Sequence, residues 1–132
     1  MSIPRFWRNL PSRYNLIATK CLNCNNVYFP PRKFCPKCRR QSKLEETKLS
    51  GRGEVLTYTI IHAAPVGFES QSPYIMAIVK SEEGPAFTTQ IVNCESSDVK
   101  IGMKVERVFR RIQEDGDAGL IHYGFKFQPA GK

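Results

Sequence analysis

Four cysteines constrain this chain more than any other feature of it. They stand at Cys21, Cys24, Cys35 and Cys38, as two Cys-x-x-Cys pairs with ten residues between them. Two residues inside a pair let one tight turn aim both sulfurs at a point. Ten between the pairs allow a short strand out and back, which sets the second turn opposite the first. Four thiolates then occupy tetrahedral corners, and a d¹⁰ zinc ion accepts them without any d-electron geometry of its own. Iron is able to substitute, since it uses the same four ligands. With four thiolates the coordination shell is closed, so the expected metal is structural and its removal should unfold the ribbon that carries it.

Charge is divided unevenly along the 132 residues. Residues 1–53 carry 12 Lys or Arg against Glu45 and Glu46, a net of +10, whereas residues 54–132 carry 8 against 10 acids, a net of −2. An anionic partner is therefore expected to meet the first half, although Lys33, Lys37, Arg39 and Arg40 also offset a doubly negative tetrathiolate metal. An apolar fraction of 41% excludes a disordered chain, and no apolar run approaches the roughly 20 residues needed to cross a bilayer. The first ten residues lack the apolar stretch of a signal peptide, so no membrane partner and a cytoplasmic address are expected. There, paired Cys-x-x-Cys motifs indicate metal or redox chemistry rather than structural disulfides. Cys94 has no partner motif and reads as a small apolar residue near a strand end.

Three segments follow from the periodicity. A helical arm over 1–20 is marked by Phe6, Leu10 and Tyr14 at helical spacing, with Trp7 adding bulk and helix expected over 3–19. A ribbon follows over 21–50, with a strand at Val27-Tyr28-Phe29 ended by Pro30-Pro31, and with Asn25 placed where a left-handed residue is needed. From 51 to 132 the pattern becomes strand-like, at 53–62, 73–81, 85–93, 103–111 and 120–128, with turns at 82–84, 98–102 and 114–119. The fold class is thus mainly β: a short N-terminal helical arm, a zinc ribbon and a C-terminal five-stranded OB-fold barrel.

This order resembles a family that joins a rubredoxin-like zinc ribbon to an OB-fold and accompanies thiolases and related acyl-CoA enzymes. The resemblance rests on Phe6-Trp7, on Phe29-Pro30-Pro31-Arg32 followed by Cys35-Pro36-Lys37-Cys38, and on Ser50-Gly51-Arg52-Gly53-Glu54-Val55 with Tyr58-Thr59. Pro73-Tyr74 and Ile101-Gly102-Met103-Lys104-Val105 complete it, and Asn25 departs from the glycine usual after the first knuckle. In archaeal members it implies a scaffold that joins acetoacetyl-CoA thiolase to hydroxymethylglutaryl-CoA synthase in early mevalonate synthesis and contributes to a shared coenzyme A site, whereas others in the family serve different thiolase-like or hydratase partners.

Candidate residues for that site are Arg32, Lys33 and Arg52 for the phosphates of coenzyme A or an acyl-CoA, with Tyr58 and Phe68 along its arm. Tyr58 also suits barrel packing, and Phe68 a loop anchor. Phe6 and Trp7 are candidate anchors for a partner enzyme, because an aromatic arm this short must dock on its own chain or on another. The Pro- and Gly-containing loop 63–72 stands at an expected barrel mouth and suits partner or ligand contact. Catalysis finds little support: His62 and His122 each fall inside an expected strand, and no nucleophile–base pair or phosphate loop is present. The competing function is single-stranded nucleic-acid binding by the OB barrel. The net −2 of the barrel half weighs against it, since a barrel that tracks phosphates should be basic.

Overall fold

The computed structural model describes residues 3–114 and 116–131, so Asp115, within the turn expected at 114–119, lies outside the described residues. The arm forms two short helices, α1 (Ile3–Arg8) and α2 (Leu10–Asn15). Pro11 sits in the first turn of α2, where its missing N–H is not needed. Helix had been expected through residue 19. It stops at Asn15 because Leu16 turns left-handed (φ 53°), its N–H closing on the Ser12 carbonyl at 3.1 Å. The β-branched Ile17 and Thr19 then continue as strand.

The ribbon is a three-stranded antiparallel sheet in the order β2-β1-β3, with β1 at Ile17–Cys21, β2 at Val27–Tyr28 and β3 at Leu44–Lys48. The third strand was not apparent in the sequence. Its Leu-Glu-Glu-Thr-Lys composition is polar, and it is stabilised by pairing Ile17 with Lys48 through Cys21 with Leu44.

The remaining five strands close a barrel in the order β4-β5-β6-β8-β7. They are β4 (Arg52–Ile61), β5 (Tyr74–Ser81), β6 (Ala86–Ile91), β7 (Lys104–Glu114) and β8 (Ile121–Pro129). Antiparallel β7 returns onto the start of β4, pairing Glu106 with Arg52 and Lys104 with Glu54. The seam between β6 and β8 is parallel, at Ile91 opposite Phe127. This is the OB arrangement that the strand spacing implied. Gly53 lets β4 lie close against β5: a Cβ there would lie 2.5 Å from the Lys80 carbonyl oxygen.

Arm, ribbon and barrel share one hydrophobic cluster. Leu16, Ala18 and Leu49 are buried together with the barrel residues Val55, Val79, Val105 and Phe127. Phe29, the residue before the two prolines, sets its ring 4.9 Å from Phe87 and 5.6 Å from Phe125. The ribbon therefore leans on the barrel through aromatic contacts, and no exposed linker separates them. Among the described residues, no helix is long and apolar enough to cross a membrane.

Candidate metal centre and ligand surfaces

Two knuckles built alike bring the four cysteines together. The Asn25 N–H donates to the Cys21 carbonyl at 2.7 Å, and the Arg39 N–H donates to the Cys35 carbonyl at 2.8 Å. Both donors are four residues after the first cysteine of their pair, and both are left-handed, at φ 60° and 49°. Asn25 was expected to take this conformation. Arg39 was missed, although its equivalent place in the second pair was the available signal.

All four sulfurs lie within 4.8 Å of one another, with Cys21 and Cys38 3.8 Å apart and Cys24 and Cys35 3.5 Å apart. A disulfide would need about 2 Å. A tetrahedron with metal–sulfur arms of about 2.3 Å has edges of about 3.8 Å, so these residues fit a tetrathiolate metal. The donor set is tetrahedral and all-sulfur, the chemistry of zinc or of a single iron. Asn23 donates from Nδ2 to the Cys38 sulfur at 3.2 Å, and the Tyr28 hydroxyl stands 3.2 Å from the Cys35 sulfur. Such outer contacts fix ligand orientation. Four crowded thiols resist ionising together. Burial pushes Cys35 up, but the Tyr28 hydroxyl and the backbone N–H of Cys38 outweigh it and bring the thiol to about 6. Asn23 favours the Cys38 thiolate, yet burial and the three neighbouring sulfurs raise that group to about 12. A bound cation removes this conflict by accepting all four as thiolates.

The candidate ligand residues are dispersed. Arg32 is exposed at the ribbon, its guanidinium carbon 5.1 Å from the Tyr28 ring centroid and its backbone N–H donating to Thr19 Oγ1 at 3.1 Å. Lys33 is exposed in the same turn. Arg52 opens β4 and borders a different concavity, which it shares with Glu82, Lys104 and Glu106. Tyr58 lies opposite Ala77 on β4. Phe68, in the β4–β5 loop, has its ring 6.1 Å from that of Tyr74 and borders a third depression, toward α2.

The aromatic pair of the arm also divides. Phe6 is 7% exposed, with its ring edge-on to His122 at 4.4 Å and under the Arg13 guanidinium at 5.4 Å. It anchors the arm to its own barrel and leaves little of its ring for a partner. Trp7 is 70% exposed, one helical turn after the half-exposed Ile3. Of the histidines, His122 is wholly buried in β8 under Phe6, and His62 is exposed just after β4.

Similar proteins carry the same two parts. Residues 8–45 match the rubredoxin-like zinc ribbon domain of ChsH2, and residues 46–110 match the C-terminal OB-fold domain of ChsH2. A DUF35 domain-containing scaffold protein of Methanocaldococcus jannaschii is 57% identical over 127 residues, covering 96% of this chain and 90% of that one. A probable enoyl-CoA hydratase alpha subunit of Thermomonospora curvata is 30% identical over 76% of this chain, which spans 31% of that protein. Among solved structures, a chain of the Ltp2-ChsH2(DUF35) aldolase superposes with a TM-score of 0.70 at 27% identity, covering 95% of this chain and 91% of that chain.

Proposed function

The chain belongs to the DUF35 family, in which a rubredoxin-like zinc ribbon precedes an OB-fold, and from that premise we propose that it is a noncatalytic scaffold for enzymes of acyl-CoA metabolism. One observation carries this: 57% identity to a scaffold protein over nearly the whole of both chains. The hydratase relative lends the acyl-CoA context by its name, and the aldolase relative supplies a matching module within an enzyme assembly. The metal is zinc, held by Cys21, Cys24, Cys35 and Cys38. It supplies a cross-link that keeps the two knuckles together.

The enzymes held are acetoacetyl-CoA thiolase and hydroxymethylglutaryl-CoA synthase, and the step served is early mevalonate synthesis in the cytoplasm. A scaffold acts there by proximity, since holding two active sites around one carrier-bound intermediate favours transfer over escape. Trp7 is the partner anchor, because a tryptophan this exposed on a docked helix has an apolar face that the described residues leave mostly uncovered. Arg32 and Lys33 form the corner offered to coenzyme A phosphates. Arg52, Tyr58 and Phe68 remain candidates that reach the cofactor only if a partner enzyme brings it across the barrel.

The test is purification of the tagged protein from its native cells in mild salt, with a parallel nuclease-treated sample. A thiolase or acyl-CoA synthase retained in fixed ratio and insensitive to nuclease supports the scaffold. Nucleic acid without either enzyme, lost on nuclease treatment, would sink it in favour of a strand-binding OB-fold.

A further inference from the structure

Between α2, the β4–β5 loop and the strands β5, β6 and β8 lies a cavity of about 260 Å³. Its polar wall includes buried polar atoms with few polar partners. Lys126 is 6% exposed, and its amine donates to Gln71 Oε1 at 2.9 Å. No carboxylate lies within ion-pair distance of it among the described residues. Thr89 is equally buried, and its hydroxyl is without a hydrogen-bond partner among the described residues. The same holds for the Nε of Arg13, which enters from α2. All three border this one cavity, together with the buried Gln90. The opposite wall is apolar, formed by Phe68, Met76, Ile112 and Phe125.

Each of these groups is costly to bury alone. An unpaired hydroxyl or a cation without a counter-charge loses its water and gains little in return. Burial, and then the fields of Arg110 and Arg111, hold the Lys126 amine below its ordinary value. One negative charge placed among Lys126, Arg13 and Thr89 would answer all three at once. The space is at the small end for ligand sites, and its apolar half favours a carbon chain over a bare inorganic ion.

We propose that this cavity is a binding site for a small organic carboxylate, its head group held by Lys126, Arg13 and Thr89 and its chain against Phe68, Met76, Ile112 and Phe125. Gly124 opens the wall. A Cβ there would meet the Ile112 side chain at 3.2 Å, tighter than an ordinary contact, so the missing side chain leaves room beside Ile112 in the wall. Gln71 ties the loop side shut, donating from Nε2 to the Ile112 carbonyl at 3.0 Å while its Oε1 receives Lys126. The head-group residues Lys126, Arg13 and Thr89 are not among those offered to a partner enzyme or to coenzyme A, and Phe68 alone is shared with that reading, so the site stands apart from the scaffold reading.

The experiment titrates the ¹⁵N-labelled, metal-loaded full chain separately with butyrate, butanol and inorganic phosphate, following amide shifts by NMR. Butyrate should shift the amides of Thr89, Gln90, Gly124 and Phe125 in a saturable 1:1 manner. Butanol, with the chain but no charge, and phosphate, with charge but no chain, should each bind about tenfold more weakly or worse. Lys126→Met and Thr89→Val should each weaken butyrate about tenfold in a folded protein. If Lys126→Met does not fold, the wild-type shift map and Thr89→Val decide alone. Absence of saturable shifts, shifts clustered elsewhere, phosphate binding as tightly as butyrate, or unchanged affinity in a folded variant would each overturn the proposal.

Discussion

Replacing Leu49 by Ala should destabilise the metal ribbon and the barrel together. Leu49 is 3% exposed, ends the ribbon and gives its N–H to the Leu16 carbonyl at 3.0 Å. Its side chain belongs to the same cluster as Val55, Val105 and Phe127 of the barrel. The substitution removes three carbons, about 2.4 kcal/mol of transfer free energy at roughly 0.8 kcal/mol per carbon. The unrelaxed space left behind adds to this, and about 3 kcal/mol lies within the usual span for buried Leu→Ala changes. A chain of 132 residues unfolds with an entropy of about 0.28 kcal/mol/K, so Tm should fall by about 10 °C. The assay heats the zinc-loaded protein while recording near-ultraviolet circular dichroism of the aromatics and zinc release to a chromogenic chelator. Both transitions should move by the same amount and stay coincident. An unmoved barrel transition with earlier zinc release would refute the shared core and make the ribbon an independent unit.

Three further outcomes follow from individual contacts. Gly53→Ala should cost about 2–3 kcal/mol in urea unfolding, because the new methyl meets the Lys80 carbonyl and the Val79 side chain, at 2.5 and 2.8 Å, and the backbone partner cannot swing away. Glu83 accepts the Ser50 N–H at 2.7 Å and also bonds the Ser81 hydroxyl. Burial raises its carboxyl, but these bonds prevail and hold it below the ordinary value, so its stabilisation is present above the unfolded pKa and lost as pH falls through the folded one. For so exposed a group that is about 0.5 kcal/mol after solvent screening. Glu83→Gln should therefore lower the urea midpoint slightly at neutral pH, and the difference should vanish in acid. Trp7→Ala should leave Tm within about 1–2 °C, since the side chain is 70% exposed, yet weaken capture of a partner enzyme about tenfold or more in a pull-down titration.

The parts of this fold that read most clearly in the sequence are those with one local cause. The four cysteines and Asn25 carry their own turn geometry, and the five barrel strands alternate strongly enough to show their places. What was hidden depends on neighbours. β3 is polar and becomes a strand only because β1 offers it an edge. Phe6 and Trp7 look alike in sequence, and only the docking of α1 over His122 sends one inward and leaves the other out. The candidate coenzyme A residues share charge or aromaticity, properties that do not report distance. The lysine between Phe125 and Phe127 gave no sign of burial either, since strand alternation points it to solvent. It is covered because α2 and the β4–β5 loop close over that face.

Reconstitution tests the scaffold most directly. Native mass spectrometry of purified acetoacetyl-CoA thiolase and hydroxymethylglutaryl-CoA synthase, with and without this protein, should show one species containing all three chains in fixed ratio. That species should be absent when this chain is omitted. Assembly of the two enzymes without it, or its failure to join either, would contradict the account.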